Sequence, residues 1–471
     1  MNASVRVPQS VLSRLEQAKQ EHLVRFWDEL TPQQQESLAT QIEEIDFSLI
    51  QRLIENRAAS SGAESPASRA ARAESPHQLV RLPRTHSEKM EQKHAALEGE
   101  ELLQSGKVGA ILVAGGQGTR LGFDHPKGMF PIGPVSQRSL FQIHCEQILA
   151  RSRQAGVAIP YFIMTSEATH RPTVRFFEEN RYFGLSEDNV FFFQQASLPA
   201  VDSETGKILL ERKDRIATGP DGHGGMLRAL ERSGMLGVMR DRNIEHLYYH
   251  QVDNPTAIIC DPVLLGHHLL SGSDVTTKVV AKVAPEEKMG VLATVDGKTE
   301  IIEYSDLPAE EARRTQRDGT LVFWAGNTAI HVFRRSFIEK LLADELSLPF
   351  HIAHKKMPYV NEAGETVSPA APNAYKFEQF IFDALPHAEV ALVVEANRKR
   401  EFNPVKNAEG ADSPATCRAA LLDIAREWIE AAGGIVEKGV PVEISPLFAL
   451  DALEFQSRIE PGQTFRKPTI L

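Results

Sequence analysis

At 471 residues the chain has room for two or three domains, and an apolar content of 42% suits a globular enzyme. A net charge of −11 argues against non-specific binding to nucleic acid or an anionic membrane, so basic residues read as local tools for an anionic substrate. Cys145, Cys260 and Cys417 lie far apart without metal-ligand spacing. MNASVRVPQS holds no apolar signal core and no membrane-length apolar run follows, so the three read as buried thiols of a cytoplasmic protein.

Residues 10 to 56 are expected to be helical, because Leu12, Leu15, Leu23 and Phe26 recur at helical spacing. Thr31, Pro32 and Gln34 supply a cap, a first-turn proline and a capping box for a second helix. Arg57 to Gln78 is rich in Ala, Ser and Pro and is expected to be a flexible insert that cannot bury a core. A helix near Glu88 to Ser105 follows. Strands are then expected at 108–114, 160–165, 190–194, 246–252, 276–284, 290–294, 321–323 and 328–333. Helical stretches near 139–154, 172–180, 225–233 and 262–270 separate several of them, which argues an α/β class with a mostly parallel sheet. After 400, a helix at 415–431 leads into short strands with turn signals. The expected division is a helical N-terminal domain at 1–100 with the insert at 57–78, a central α/β domain at 101–400, and a small C-terminal domain at 401–471.

The most informative stretch is AGGQGTRLGFDHPKG, Ala114 to Gly128, directly after the apolar strand Val108 to Val113. Glycines let the backbone approach a ligand, and successive free N–H groups make a concavity for an anion, usually phosphate. Arg120 and Lys127 add two cations. The P-loop pattern G-x-x-x-x-G-K-S/T is absent, and Leu121 stands where a dinucleotide fingerprint needs its third glycine. A glycine turn that only packs is the bland alternative.

Asp253 ends the strand-like run Tyr248 to Asp253, where a carboxylate could hold magnesium against phosphate oxygens or simply cap the next helix. Gly222 and His223 lie in GPDGHGG before a helix; a lone histidine there is more often structural than catalytic. Gln195 ends the FFFQQ strand with an amide suited to a pyrimidine edge. Glu303 in IIEYSDL and Asn327 in WAGNTAI could bind sugar hydroxyls or serve as turn residues. Lys376 in YKFEQFIFD is expected on a helix, either functional or as a snorkelling surface lysine. Lys406 in FNPVKNA follows an Asn-Pro turn, on a loop that could close over a site.

LxxGGxGTRLG followed by PKG resembles the signature of the UTP-dependent uridylyltransferases. With MTSEAT, FFFQQASLPA, GPDGHGG, QVDN, IIEYSDL, AGNTAIHVF and FNPVKNAEGADSPATCRAAL in order, nearly the whole chain is similar to the eukaryotic-type UDP-N-acetylhexosamine pyrophosphorylase family. The resemblance implies a GT-A-like Rossmann nucleotidyltransferase core with a mixed, mostly parallel sheet, a helical N-terminal domain and a small C-terminal β domain. It implies that Gly115 and Gly116 contact the uridine, with Gln195, Gly222 and the adjoining His223 at the base. Arg120 and Lys127 would bind the triphosphate. Asp253 would hold magnesium, or manganese in its place. Gly290, Glu303 and Asn327 would bind the sugar, and Lys376 and Lys406 its phosphate. His223 stands where the family usually has Asn, and Trp324 replaces a smaller or polar residue beside AGN, which bears on the sugar.

The reaction so implied is UTP plus a sugar 1-phosphate, first of all N-acetylglucosamine 1-phosphate, going to a UDP-sugar and pyrophosphate. Attack on the α-phosphorus is in line, with Arg120, Lys127 and Lys406 as catalytic cations. The alternatives are glucose 1-phosphate or a broad sugar range, a catalytically silent UDP-sugar-binding regulator, and, disfavoured by the broken fingerprint, a nicotinamide-dependent oxidoreductase. No nucleic acid or membrane partner is expected, and the chain is expected to be a monomer or weak homo-oligomer.

Overall fold

The computed structural model describes residues 6–59, 65–343 and 348–471. Contacts divide the chain into two compact units. The first takes Met1–Glu64, Gln195–Met226 and Leu348–Ile381; the second takes Ser65–Gln194, Leu227–Ser347 and Phe382–Leu471.

In the first unit, helices α1 (Gln9–Ala18), α2 (Pro32–Glu44) and α3 (Phe47–Ala59) realise the helical spacing. Thr31 and Gln34 cap each other's backbone reciprocally at the start of α2, with Pro32 in the first turn, where its missing N–H costs no bond. Val11, Leu15, Leu38, Ile42 and Leu53 bury against Val201, Ile208, Leu210, Ile216 and Phe377. Phe377 comes from a three-stranded antiparallel sheet of Val201–Asp202, Phe350–Lys355 and Ala374–Gln379. The helix expected around Lys376 is therefore corrected: Lys376 lies on a strand, paired with Ala353. The aromatic YKF run suits a pleated surface, and Phe377 is buried among the helices while the ladder to Phe350–Lys355 satisfies the backbone.

The second unit is built on a ten-stranded sheet. Its strands are β1 (Leu79–Val80), β2 (Val108–Val113), β3 (Tyr161–Thr165), β4 (Val190–Gln194), β5 (His246–Gln251), β6 (Val275–Ala281), β7 (Val291–Val295), β8 (Lys298–Ile302), β9 (Ala325–Arg334) and β10 (Ala391–Glu395). The order is β1-β10-β6-β9-β5-β2-β3-β4, with β7 pairing β8 and β9. β9 runs antiparallel to both β6 and β5, while the other neighbours on that path are parallel. The sheet is thus mixed and mostly parallel, as expected. β2 and β3 are nearly all buried, which explains their unbroken apolar runs. Residues 321–323 form no strand, although Val322 and Phe323 are buried.

The insert expected to be flexible is corrected over its described part. Residues 57–59 end α3, and 60–64 lie outside the described residues. Ser65 caps α4 (Pro66–Arg72), and Ala70 and Ala73 are buried against Val291, Ala293, Ile302 and Phe323. Glu74 exchanges two backbone hydrogen bonds of 2.9 Å with Thr294 of β7. Small alanines suffice because the partner surface supplies the bulk. Other helices of the unit include α5 (His86–Gln104), α6 (Leu140–Ala155), α7 (Glu167–Glu179), α8 (Pro262–Leu270), α9 (Arg398–Glu401) and α10 (Pro414–Ala431). After α10, Val436, Val442 and Phe465 of short strand pairs bury together with Phe455 of a helix at Ala452–Arg458. Among the described residues no helix is long and apolar enough to cross a membrane.

Among the described residues of this unit, His144, His246, His250, His268 and His331 are buried, and burial lowers four of them strongly. Burial pushes His144 and His246 down to about 4, and His250 and His268 well below the usual imidazole value. Each is neutral when folded but would take up a proton near pH 6.5 when unfolded. The stability they contribute is therefore present above pH 6.5 and is lost as pH falls toward 4, each by up to about 1.4 kcal/mol per pH unit. Thermal melting should show Tm falling steadily from pH 7 to pH 5; a Tm that stays flat over that range would contradict this.

Candidate functional site

β5, β2 and β3 lie side by side and parallel, with Gln251 opposite Val113 and Val113 opposite Met164. Their carboxyl ends therefore line up, the place where open α/β sheets receive ligands. β2 runs into the glycine loop, β5 into Asp253, and β3 into Ser166.

The loop is a built structure. Lys127 N–H donates to the Gly116 carbonyl at 3.0 Å and Gly118 N–H to the His125 carbonyl at 2.9 Å. Short turns cover Thr119–Leu121 and Lys127–Met129. The Ser166 hydroxyl donates to the Gly115 carbonyl at 2.8 Å and ties the loop to the end of β3. A Cβ placed on Gly116 would meet nothing within 4 Å, so its backbone borders open space. Arg120 is exposed, and among the described residues no carboxylate pairs with it. Lys127 Nζ lies 3.5 Å from Asp253 Oδ2, with the two side chains 17% and 14% exposed.

Asp253 is not a helix cap. The next helix, α8, is capped by Asp261, whose Oδ1 accepts from Val263 N–H at 3.0 Å. The Asp253 carbonyl instead accepts from Val405 N–H at 2.8 Å, which brings the Lys406 loop to this point. Lys406 Nζ stands 3.9 Å from Asp412 and 5.4 Å from the centre of the Phe402 ring. Gly115, Gly116, Lys127, Asp253 and the Lys406 loop are thus linked by contact.

Gly290, Glu303 and Asn327 form a second group beside β7, β8 and β9. A Cβ on Gly290 would come 2.6 Å from Glu303 Oε1, and Asn327 N–H donates to the Gly290 carbonyl at 2.8 Å. Asn327 Oδ1 accepts from Ala329 N–H at 2.9 Å. Trp324 is buried, with the Arg81 guanidinium 3.8 Å over its ring and Arg81 Nε 3.0 Å from Glu395. One face of this indole is therefore already covered.

Gln195, Gly222, His223 and Lys376 belong to the first unit. Gln195 is buried. Gly222 has φ 83°, and a Cβ there would stand 2.4 Å from the Gln379 carbonyl oxygen, so only glycine fits. His223 Nδ1 accepts from Ile381 N–H at 3.1 Å, and its ring stacks 5.3 Å from Phe380. Burial pushes it down to about 4, so it is neutral with its proton on Nε2. Lys376 lies over Gly219, where a Cβ would be 3.3 Å from Nζ.

Two participants escaped the sequence reading. Ser166 lies within MTSEAT with nothing there to single it out, yet its hydroxyl anchors the loop. Asn254, next to Asp253, binds the backbone on both sides of Phe402. Nothing in its type or spacing announces that.

A metal has limited options here. Among the described residues no group of three or more His, Cys, Asp or Glu could hold one. Asp253 is a single hard oxygen ligand, which fits a magnesium ion that takes its remaining ligands from water and substrate phosphates.

Residues 47–466 match the family described as UTP–glucose-1-phosphate uridylyltransferase. The chain belongs to that family. UDP-N-acetylhexosamine pyrophosphorylase-like protein 1 of Homo sapiens is 37% identical to it, over 98% of this chain and 97% of its own length. UDP-N-acetylglucosamine diphosphorylase 2 of Arabidopsis thaliana is 36% identical, over 98% and 93%. The crystal structure of the uridine diphosphate N-acetylglucosamine pyrophosphorylase from Trypanosoma brucei in complex with an inhibitor matches with a TM-score of 0.83 at 26% identity, covering 99% of each chain. The uridylyltransferase family thus accounts for the fold as well as the loop signature.

Two of this family member's glycines should behave differently. Gly222→Ala should lower Tm, since it adds both a strained φ and a backbone clash, typically a few kcal/mol. Gly116→Ala should leave Tm unchanged but weaken UTP binding by at least tenfold in calorimetry. Equal Tm losses in both variants would contradict the distinction.

Proposed function

We propose that the chain transfers a uridylyl group from UTP to N-acetylglucosamine 1-phosphate, releasing pyrophosphate and forming UDP-N-acetylglucosamine. The observation that carries this is the Lys127–Asp253 pair, seated on a glycine loop at aligned strand ends and joined through the Asp253 carbonyl to the Lys406 loop. Named relatives such as the Arabidopsis diphosphorylase support the sugar.

In this reading the sugar phosphate's oxygen attacks the α-phosphorus in line and pyrophosphate leaves. Gly115 and Gly116 cradle the uridine, and Gln195 and Gly222 recognise uracil beside a structural, neutral His223. Arg120 and Lys127 hold the triphosphate and offset charge as it moves toward the leaving group. Lys376 and Lys406 hold the incoming sugar phosphate, and Gly290, Glu303 and Asn327 hold the sugar. Pyrophosphorylases of this kind generally need a divalent metal; magnesium held by Asp253 would neutralise phosphate charge. Asp253 would exchange its Lys127 partner for the ion while Lys127 turns to the phosphates.

No protein nucleophile is needed. Burial raises the thiols, Cys145 well above its usual value and Cys260 and Cys417 to about 12, so none supplies a thiolate. A second reading, glucose 1-phosphate, is favoured by the family's description.

Arg120→Ala and Lys127→Ala should each lower kcat by about 10²–10³-fold, the usual effect of removing one charge partner of the transition state. Parent-like rates in both would sink the assignment. For the sugar, kcat/KM with N-acetylglucosamine 1-phosphate should exceed that with glucose 1-phosphate at least tenfold. The reverse ratio would select the second reading.

A further inference from the structure

The loop that carries Lys406 is fastened to the Asp253 turn at both ends of Phe402 by the side chain of Asn254, which is 4% exposed. Its Nδ2 donates to the Glu401 carbonyl at 2.7 Å, and its Oδ1 accepts from Asn403 N–H at 3.1 Å and from the Thr256 hydroxyl at 3.0 Å. The two backbone groups flank Phe402, so a single amide clamps the start of the loop. Asn403 completes the clamp, donating to the Thr256 hydroxyl at 3.1 Å and to the Lys399 carbonyl at 3.0 Å. Val405 N–H then meets the Asp253 carbonyl at 2.8 Å, and Lys406 is the next residue.

The far side of the clamp rests on a buried charge cluster. Lys278 of β6 is only 2% exposed, and its Nζ lies 2.5 Å from Glu401 Oε2 and 2.6 Å from Asp261 Oδ2. Burial alone would lower this amine, but the Asp261 and Glu401 carboxylates outweigh it and hold the group charged, above the ordinary lysine range. Asp261 also caps α8, and Glu401 Oε1 accepts from Asn397 N–H at 3.3 Å at the start of α9. A buried lysine between two carboxylates has one low-energy arrangement, because any displacement strands a charge. The Glu401 end of the clamp is therefore fixed to the sheet.

We propose that Asn254, braced by the Lys278–Glu401–Asp261 cluster, is a positioning residue that sets Lys406 against Asp253 for the incoming sugar phosphate. Asn254 touches no reacting atom; it acts through Lys406. The inference rests on the uridylyltransferase reading above and on the role that reading gives Lys406.

The test is a double-mutant cycle on the full-length protein, with Asn254→Ala, Lys406→Ala and both, assayed for pyrophosphate release. Asn254→Ala should raise KM for the sugar 1-phosphate at least tenfold and leave KM for UTP within about twofold. The double variant should be no slower than Lys406→Ala alone, because the asparagine has nothing left to position. If Asn254→Ala does not fold, the isosteric Asn254→Asp serves instead: it keeps the Asn403 contact and loses donation to Glu401. Losses that multiply in the double variant, or equal changes in both KM values, would overturn the inference while leaving the site reading intact. So would a parent-like Asn254→Ala enzyme beside an impaired Lys406→Ala enzyme. A Lys406→Ala enzyme as fast as the parent would overturn the role of Lys406 and the inference with it.

Discussion

The site depends on one constraint: the parallel pairing of β5, β2 and β3. Because Gln251, Val113 and Met164 lie in register, three unrelated segments end at one level. The glycine loop, the Asp253 turn and Ser166 meet only for that reason. The antiparallel strand β9 continues the sheet beyond β5, and β7 and β8 join it there with the Glu303 group. A change in register of β5 by one residue would turn its side chains to the other face of the sheet and dismantle the Lys127–Asp253 contact.

On this frame the charged groups compensate one another within the protein. Lys127 faces Asp253, Lys406 faces Asp412, and Lys278 faces two carboxylates. Arg120, exposed on the loop, has no such partner among the described residues. The pairs differ in burial, and that separates their roles. Lys278 is sealed and holds position. Lys127 and Lys406 are accessible enough to exchange a protein partner for phosphate. The groups that could act as nucleophiles are muted: the thiols are raised by burial, His223 is held neutral against the Ile381 N–H, and the Ser166 hydroxyl is spent on Gly115. Such a site works by orientation and neutralisation of phosphate charge.

Much of this was legible from residue order. The strand ends, the glycine loop and the Thr31 capping box follow from local patterns, which act over a few residues. Legibility stopped where long-range packing decides. Lys376 reads as helical because Phe377, Phe380 and Ile381 fall at helical intervals, yet a partner strand over 20 residues away claims the segment. Residues 65–78 look structureless because they lack bulky side chains, and the sheet supplies them. Asn254 is indistinguishable in sequence from any turn asparagine. Lys278 carried a signal that could have been used: a charge inside VTTKVVA is costly unless paired.

The central claim is direct transfer, with no uridylyl group held on the protein. It is tested most directly by exchange of labelled pyrophosphate into UTP. Exchange should require the sugar 1-phosphate, since pyrophosphate leaves only when the sugar phosphate attacks. Exchange at full rate with UTP and metal alone would reveal a covalent uridylyl-enzyme and contradict the account.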